Sequence, residues 1–434
     1  MNNAKTFTNN QSAYDSYSLL ASDVSVCNNT RVTGINNNVL VIGPSGCGKT
    51  RSYVMPNILQ TNTSMIVSDA KGTLYGECGD YLRKRGYKVH NIDLVDLSST
   101  VGYNPLNLIR RDPVTGKYNE QDIIKLSEIV IMSTLHSDPF WDMAARMYLQ
   151  SLVAYTLETT PECDHTLTNV NKLMCAKGGN AFEMLMSQHM EQEPDSLSVK
   201  RYEAYKTIGS ADKMIGSILG IVSTNLSSFV FDGLDKLYNM PEQVDFSCFG
   251  REKVALFLSV SDTDRSLDRL ANLFWTQALQ ALCFSADKDY PDHRFKMPVR
   301  LYLDDFATNV YIPDFDKISS NIRSREIYCS IILQSLSQLE ALYGSSKAST
   351  ILGNCDQQLV LGIQDADTAG HFSVRADMPL SYMLNMPLDR CYVFLRGQKA
   401  KATTKYDVTR HEAYHELKSV AAEEAAVEQP DVHR

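Results

Sequence analysis

Residues 39–50 read VLVIGPSGCGKT. An apolar run enters a glycine-rich turn, and the turn ends in lysine and threonine. The spacing is G-x-x-x-x-G-K-[ST], filled by Gly43, Pro44, Ser45, Gly46, Cys47, Gly48, Lys49 and Thr50. Glycines let the backbone curl until its N–H groups converge on phosphate oxygens. A helix starting at the same point adds a favourable field for anions. Lys49 can then reach the β- and γ-phosphates of a nucleotide, and the Thr50 hydroxyl can ligate Mg2+. A chance glycine-rich turn is the plain alternative, and the apolar strand in front of it argues against that. Cys47 reads as a small tolerated side chain, not a redox switch.

A phosphate loop of this kind needs a metal-side carboxylate on a neighbouring strand. Residues 299–308, VRLYLDDFAT, supply an apolar run ending in two adjacent acids. In open α/β sheets ligands sit at the carboxyl ends of strands. Asp304 is therefore expected in the Mg2+ shell and Asp305 beside the attacking water. About twenty residues on, NIRSRE carries Arg323 and Arg325. Next, SIILQS brings Gln334 to the end of another strand, level with the acids if the two strands are neighbours. A glutamine there can sense the γ-phosphate or orient water. Arg323 is a candidate arginine finger, acting across a subunit boundary. A surface salt bridge and a strand-end polar group are the plain alternatives for these two.

Other apolar, β-branched runs recur at 38–43, 64–69, 87–94, 253–260, 328–335, 357–363 and 390–397, and helical stretches separate many of them. The fold class this predicts is α/β, a mostly parallel sheet with helices on both faces. Between about 116 and 240 the alternation stops, and only helical patterns follow one another. In DPFWDMAARMYLQSL, Asp138 is a candidate cap and Pro139 suits the first helical position. Phe140, Trp141, Ala144, Ala145, Met147, Leu149 and Leu152 make a face wide enough for a helical core. The expected organisation is a polar segment over 1–36, an α/β domain over 37–115 and 245–415, an all-α insertion over 116–244, and a flexible acidic tail over 416–434.

The charged fraction of 21% and hydrophobic fraction of 44% are those of an ordinary globular chain. The net charge of −9 does not advertise nucleic acid or an anionic membrane, so a charged substrate must meet a local basic surface. The ten cysteines show no C-x-x-C pair and no zinc-ligand spacing, and read as reduced thiols. No run approaches 18 apolar residues. YLRKRGYK (81–88) and Arg110–Arg111 are small basic clusters. Basic groups beside aromatics can track a single strand, although a solvated helix end is the commoner meaning.

Taken together, these blocks resemble the type IV coupling proteins of conjugation and type IV secretion, the TraG/TraD-like branch of RecA-type motor ATPases. The resemblance rests on GPSGCGKT, SDAKGTLYGEC (68–78), YNPL (103–106), DPFWDMAARMYLQSL (138–152), LDDFATNVYIPDFDKISSNIRSREI (303–327), ILQSLSQLEALYG (332–344) and NCDQQLVLG (354–362). It spans about residues 37–410, in family order. It implies a RecA-like domain interrupted by an all-α domain, ATP and Mg2+ as cofactors, and a hexameric ring with sites between subunits. It further implies passing a relaxase-bound single DNA strand, or effector proteins, to a secretion channel. By position, Lys49 and Thr50 become the P-loop pair, Asp304 and Asp305 the acidic pair, Arg323 the finger and Gln334 the sensor. Asp69 and Lys71 fall in the family's DxKG block and read as site architecture.

There are two departures. Members of the family usually begin with transmembrane helices, whereas Lys49 comes too early for a span before it. The expectation is a form lacking the anchor, at the inner face of the cell membrane, working with channel ATPases, inner-membrane components and a separate anchor protein. Asp305 stands where a longer glutamate is commoner, so water positioning is expected to be looser. Two other readings stay open at this level: a nucleotide-gated adaptor with little hydrolysis, and a double-stranded DNA translocase.

Overall fold

The computed structural model describes residues 16–70, 72–132, 139–176, 180–208, 212–261, 263–306 and 310–417. Lys71, the Asp138 cap and the acidic tail from 418 onward lie outside the described residues.

Among the described residues there are eleven strands: β1 (Tyr17–Ala21), β2 (Val24–Cys27), β3 (Val39–Ile42), β4 (Ser64–Asp69), β5 (Lys88–Asp93), β6 (Val254–Ser259), β7 (Val299–Leu303), β8 (Ile327–Leu333), β9 (Gln357–Val360), β10 (Arg390–Leu395) and β11 (Lys401–Thr404). Nine form one sheet in the order β11-β10-β9-β3-β8-β7-β4-β6-β5. Pairings from β9 through β3, β8, β7 and β4 to β6 are parallel, while β10 is antiparallel to both β9 and β11. β3, β4, β6, β7, β8 and β9 are buried along their whole length. That is why they read as continuous apolar runs and not as alternating ones.

One expectation needs correction. The acid-bearing β7 is not adjacent to the phosphate-loop strand β3, because β8 lies between them. Two further elements were not foreseen. β1 and β2 pair antiparallel within the N-terminal polar segment. They dock through a reciprocal pair, Asn57 Nδ2 donating to the Leu19 carbonyl and Leu19 N–H to Asn57 Oδ1, each at 2.8 Å. β11 is a polar edge strand registered against β10.

The chain divides into two compact units. One holds the described residues of 1–91, 247–259 and 282–434, and the other those of 92–246 and 260–281. The second is built from helices such as Glu120–Val130, Pro139–Thr159, Leu197–Ile208 and Asp212–Leu226. Tyr148 and Phe182 meet edge to face at 5.7 Å, as do Phe182 and Tyr202. Glu158 accepts N–H bonds from Leu197 and Ser198, closing the start of the third helix. Ala144, Ala145, Leu149 and Leu152 are fully buried, as their pattern suggested, but Phe140 is 38% exposed. It sits in the first turn, where the ring packs edge-on against Trp141. Among the described residues no single helix is long and apolar enough to cross a membrane.

Candidate functional site

All parts of the site belong to the first unit and lie at the carboxyl end of the parallel strands. β3 delivers the chain into the loop, and Gly43 N–H donates to the Leu333 carbonyl at 3.1 Å, fastening the loop's start to the end of β8. A Cβ on Gly43 would collide with Cys47 Sγ and lie 3.2 Å from Leu361 Cβ. Gly48 has φ of +91°, a conformation that other residues rarely adopt. Cys47 is half-buried, and desolvation pushes its thiol above the ordinary range despite Lys49 and Lys405. This is the opposite of a reactive thiolate.

The helix after the loop opens with a π turn, Thr50–Val54, in which Met55 N–H reaches the Thr50 carbonyl. Pro56 follows directly. It has no N–H to give to the carbonyl four residues back, and its ring crowds that carbonyl, so a widened turn fits the sequence.

Lys49 Nζ donates to the carbonyls of Gly43 at 2.9 Å and Pro44 at 3.3 Å, so the ammonium lies across the loop. The Thr50 hydroxyl donates to Asp304 Oδ2 at 3.3 Å. Asp304 Oδ1 accepts the N–H of Asp305 at 3.0 Å. Asp305 Oδ1 in turn accepts from Gln334 Nε2 at 3.4 Å. The Gln334 N–H donates to Gln338 Oε1 at 3.2 Å. Thus β3, β8 and β7 present threonine, glutamine and the two acids side by side. Intercalation of β8 is what makes this possible, because Leu303 registers with Ile331.

Burial raises the Asp304 carboxyl to about 6, and the neighbouring Asp305 carboxylate adds to the rise. Lys49, the Asp305 N–H and the Thr50 hydroxyl oppose it without cancelling it. An acid held this way is short of positive charge. The Thr50 hydroxyl and Asp304 carboxylate are hard oxygen donors beside a phosphate loop. That set fits Mg2+, which takes one or two protein oxygens and completes its shell with water and phosphate.

Arg323 is not brought to this cluster. It lies in the 3-10 turn Ile322–Arg325, at the amino end of β8. The seven-residue strand puts roughly 20 Å between that end and the loop of the same chain. Its neighbour Arg325 is occupied by Asp287, at 2.7 and 2.8 Å. Asp69 ends β4, and its Oδ2 accepts the Tyr75 N–H, closing the first turn of the helix Thr73–Lys84.

The basic clusters are largely neutralised by partners. Arg83 bonds Asp80 and the Tyr75 hydroxyl, Arg85 bonds Glu416, and Lys88 bonds Glu252. Arg110 makes a bidentate pair with Asp122, and Arg111 lies 3.5 Å from Glu162.

Sequence reasoning missed Lys405. Its Nζ donates to the Cys47 carbonyl at 2.9 Å, across 358 residues of chain. The last lysine of KAKATTK carries no local signal of that contact.

The phosphate loop, the intercalated strand and the acid-bearing strand define a P-loop protein with a RecA-type α/β fold. The profile of the type IV secretory system conjugative DNA transfer family matches residues 2–376. The chain belongs to that family. It is 23% identical over 344 residues to protein VirD4 of Agrobacterium fabrum, covering 77% of this chain and 48% of VirD4. It is 22% identical over 356 residues to the conjugal transfer protein TraG of Escherichia coli, covering 77% and 54%. The chain thus spans about half the length of these curated relatives. Its fold matches the conjugative coupling protein TrwBdeltaN70 in complex with sulphate, at TM-score 0.65 and 17% identity over 85% of each chain. It also matches TrwB in complex with ADP and Mg2+, at TM-score 0.63 and 17% identity over 85% of each chain.

Proposed function

We propose that this protein is an ATP-driven coupling protein. It recruits a relaxase-bound single DNA strand, or an effector protein, and delivers it to a type IV secretion channel. The observation that carries the reading is the hydrogen-bonded series Thr50–Asp304–Asp305–Gln334 lying beside Lys49. A phosphate loop alone binds nucleotide. A loop with a metal-side acid, a second acid and a glutamine on adjoining strands has the parts of a hydrolytic motor.

In this reading the residues from Gly43 to Thr50 cradle the phosphates, and Lys49 leaves its two loop carbonyls for the β- and γ-phosphates. Thr50 and Asp304 hold Mg2+, which when bound neutralises charge developing on the transferred phosphoryl group. Asp305 accepts the proton of the attacking water, and Gln334 fixes the carboxylate and reports on the γ-phosphate. Arg323, at the opposite end of β8, serves the nucleotide of the next subunit, which requires a ring. The working form is a homo-hexamer at the inner face of the cell membrane. It acts with channel ATPases, inner-membrane components and a membrane anchor supplied by the same or another chain. The TrwB structures with ADP and Mg2+, and with a non-hydrolysable ATP analogue, support the nucleotide assignment.

The test is ATP turnover with and without single-stranded DNA, at concentrations where particle mass is also measured. Turnover should rise with the DNA and with assembly, and Lys49→Ala should abolish it. A verified hexamer whose turnover ignores single-stranded DNA would overturn the motor assignment.

A further inference from the structure

At the amino ends of β6 and β7, the end of the sheet away from the phosphate loop, lies a cavity of about 440 Å3. Gly250 and Arg251 form its wall on the way into β6, and Lys296 and Met297 on the way into β7. Asp289, Tyr290 and Pro291, where the helix Asp268–Asp289 ends, complete it. The frame is fixed. Met297 N–H donates to the Gly250 carbonyl at 3.2 Å, and Arg251 N–H to the Cys248 carbonyl at 3.0 Å. The Phe295 ring lies so close to Gly250 that a Cβ there would collide with it. The same ring meets Tyr290 edge to face at 5.3 Å.

The polar groups of this frame are mostly donors, and they are unspent. Tyr290 is 5% exposed, and its buried hydroxyl makes no hydrogen bond among the described residues. An unpaired buried hydroxyl costs folding free energy, so a partner that folding does not supply has to account for it. Burial raises this hydroxyl above the ordinary tyrosine range against the opposing Arg251, so it keeps a proton to donate. Arg251 covers the ring, its guanidinium 6.0 Å from the ring's centre, and is held by Asp289 at 3.5 Å. Asp289 is itself engaged by the Ser285 hydroxyl at 2.8 Å. Lys296 is exposed and has no ion pair or hydrogen bond among the described residues.

Two cations and one acid leave the cavity positive, and an arginine fork, an ammonium and a phenolic O–H together match the oxygens of a phosphate. Size follows from the surroundings. At the same end of the sheet Lys88 is committed to Glu252, Arg294 to Glu326 and Arg325 to Asp287. A polyanion needs a succession of free cations along its backbone, whereas a single phosphate needs one site. The volume is that of a small-molecule site. Pro291 and Met297 offer apolar surface to the organic part of a ligand, and Asp289 an acceptor for a hydroxyl on it.

We propose that this cavity binds a small, hydroxylated phosphomonoester, its phosphate held by Arg251, Lys296 and the Tyr290 hydroxyl. Arg251 turns from the ring onto the phosphate and so uncovers the hydroxyl. The site is separate from the nucleotide: the six residues of β6 alone put roughly 20 Å between the two ends of the sheet. It is independent of what the phosphate loop binds.

The experiment is calorimetric titration of the full chain with glycerol 3-phosphate, in wild type and in Lys49→Ala, Lys296→Ala, Arg251→Ala and Tyr290→Phe. Loss of either cation should weaken the probe by about tenfold or more, and loss of the hydroxyl by about fivefold. Lys49→Ala should bind it like wild type. Tyr290→Phe separates binding from folding. Because the hydroxyl is unpartnered, its removal should leave the thermal midpoint of ligand-free protein unchanged or raised, while the upward shift produced by the probe shrinks. No response of wild type at millimolar probe would overturn the proposal. So would a response that survives Lys296→Ala and Arg251→Ala and disappears in Lys49→Ala, since the ester then sits in the phosphate loop. A lowered midpoint of ligand-free Tyr290→Phe would show the hydroxyl already used in folding and remove it as a donor. Lys296-dependent binding of single-stranded oligothymidylate, or of phosphatidic acid vesicles, without a response to glycerol 3-phosphate would replace the small ester by a polymer or a membrane and overturn the assignment.

Discussion

Asp304 offers a test in which sign and size both follow from the site. Its carboxyl is raised from 3.8 to about 6, chiefly by burial and next by the Asp305 carboxylate. In the unfolded chain the group ionises near the lower value. Between about pH 4 and 6 the folded protein therefore holds a proton that the unfolded chain has released. Stability must fall as pH rises through that window and stay flat above it. The full cost is about 3 kcal/mol at most at pH 8, and about half of that at pH 5. Asp304→Asn removes the charge and nearly keeps the shape. In nucleotide-free, Mg2+-free protein it should stabilise the first unit by up to about 3 kcal/mol at pH 8 and about half as much at pH 5. Urea unfolding followed by far-ultraviolet circular dichroism at both pH values measures the difference. Any constant gain or loss from the new amide cancels in that comparison. The same substitution should abolish the tightening of ADP binding by Mg2+, since the metal is what offsets the buried charge. A stability difference that is the same at pH 5 and pH 8 would refute the reasoning.

Three other outcomes follow from the same geometry. Gly43→Ala should weaken Mg·ADP at least tenfold in calorimetry because its Cβ meets Cys47 Sγ; adding Cys47→Ala should recover part of the loss, and no recovery would remove that clash as the cause. Asp305→Asn should lower ATP turnover by roughly a hundredfold or more while leaving Mg·ADP affinity within about twofold, because a general base is lost and the metal site is kept. Arg323→Ala should leave ADP binding to dilute monomer unchanged and depress turnover only where the ring has formed; equal loss under both conditions would place Arg323 in its own subunit's site.

The fold was legible wherever burial on both faces wrote a continuous apolar run, as in VLVI, SMIVSD and IYCSIIL. It was not legible where hydrogen bonding and edge position define a strand. KATT has no apolar run, and its pairing with β10 could not be read locally. The hairpin β1–β2 hides in a polar segment because few of its side chains, among them Leu20, Ala21 and Val26, reach the core. Strand order is the larger gap. Nothing in the local pattern says that β8 lies between β3 and β7, yet that order alone turns Gln334 from a strand-end amide into a partner of Asp305. Phosphate loop and acids were readable because their neighbours in sequence are their neighbours in space. Lys405 was not, because it reaches the loop from the far end of the chain.

The aspartate at 305 has a local cause that the sequence did not show. Its backbone has φ of +48°, in the left-handed region, and its N–H is spent on the preceding carboxylate. Aspartate and asparagine visit that region more readily than longer side chains because their short polar groups bond locally. Glutamate at 305 would add reach toward water while making this conformation costlier, and would have to displace the Gln334 contact or bend around it. The shorter acid therefore suits the turn that aims it. With Gln334 already bonded to Asp305, the acid is held in place before any substrate arrives. Such a site meets its water through the glutamine–aspartate pair, so Gln334→Ala should slow turnover even though Asp305 remains. A variant that keeps wild-type turnover would show that Asp305 works without that support.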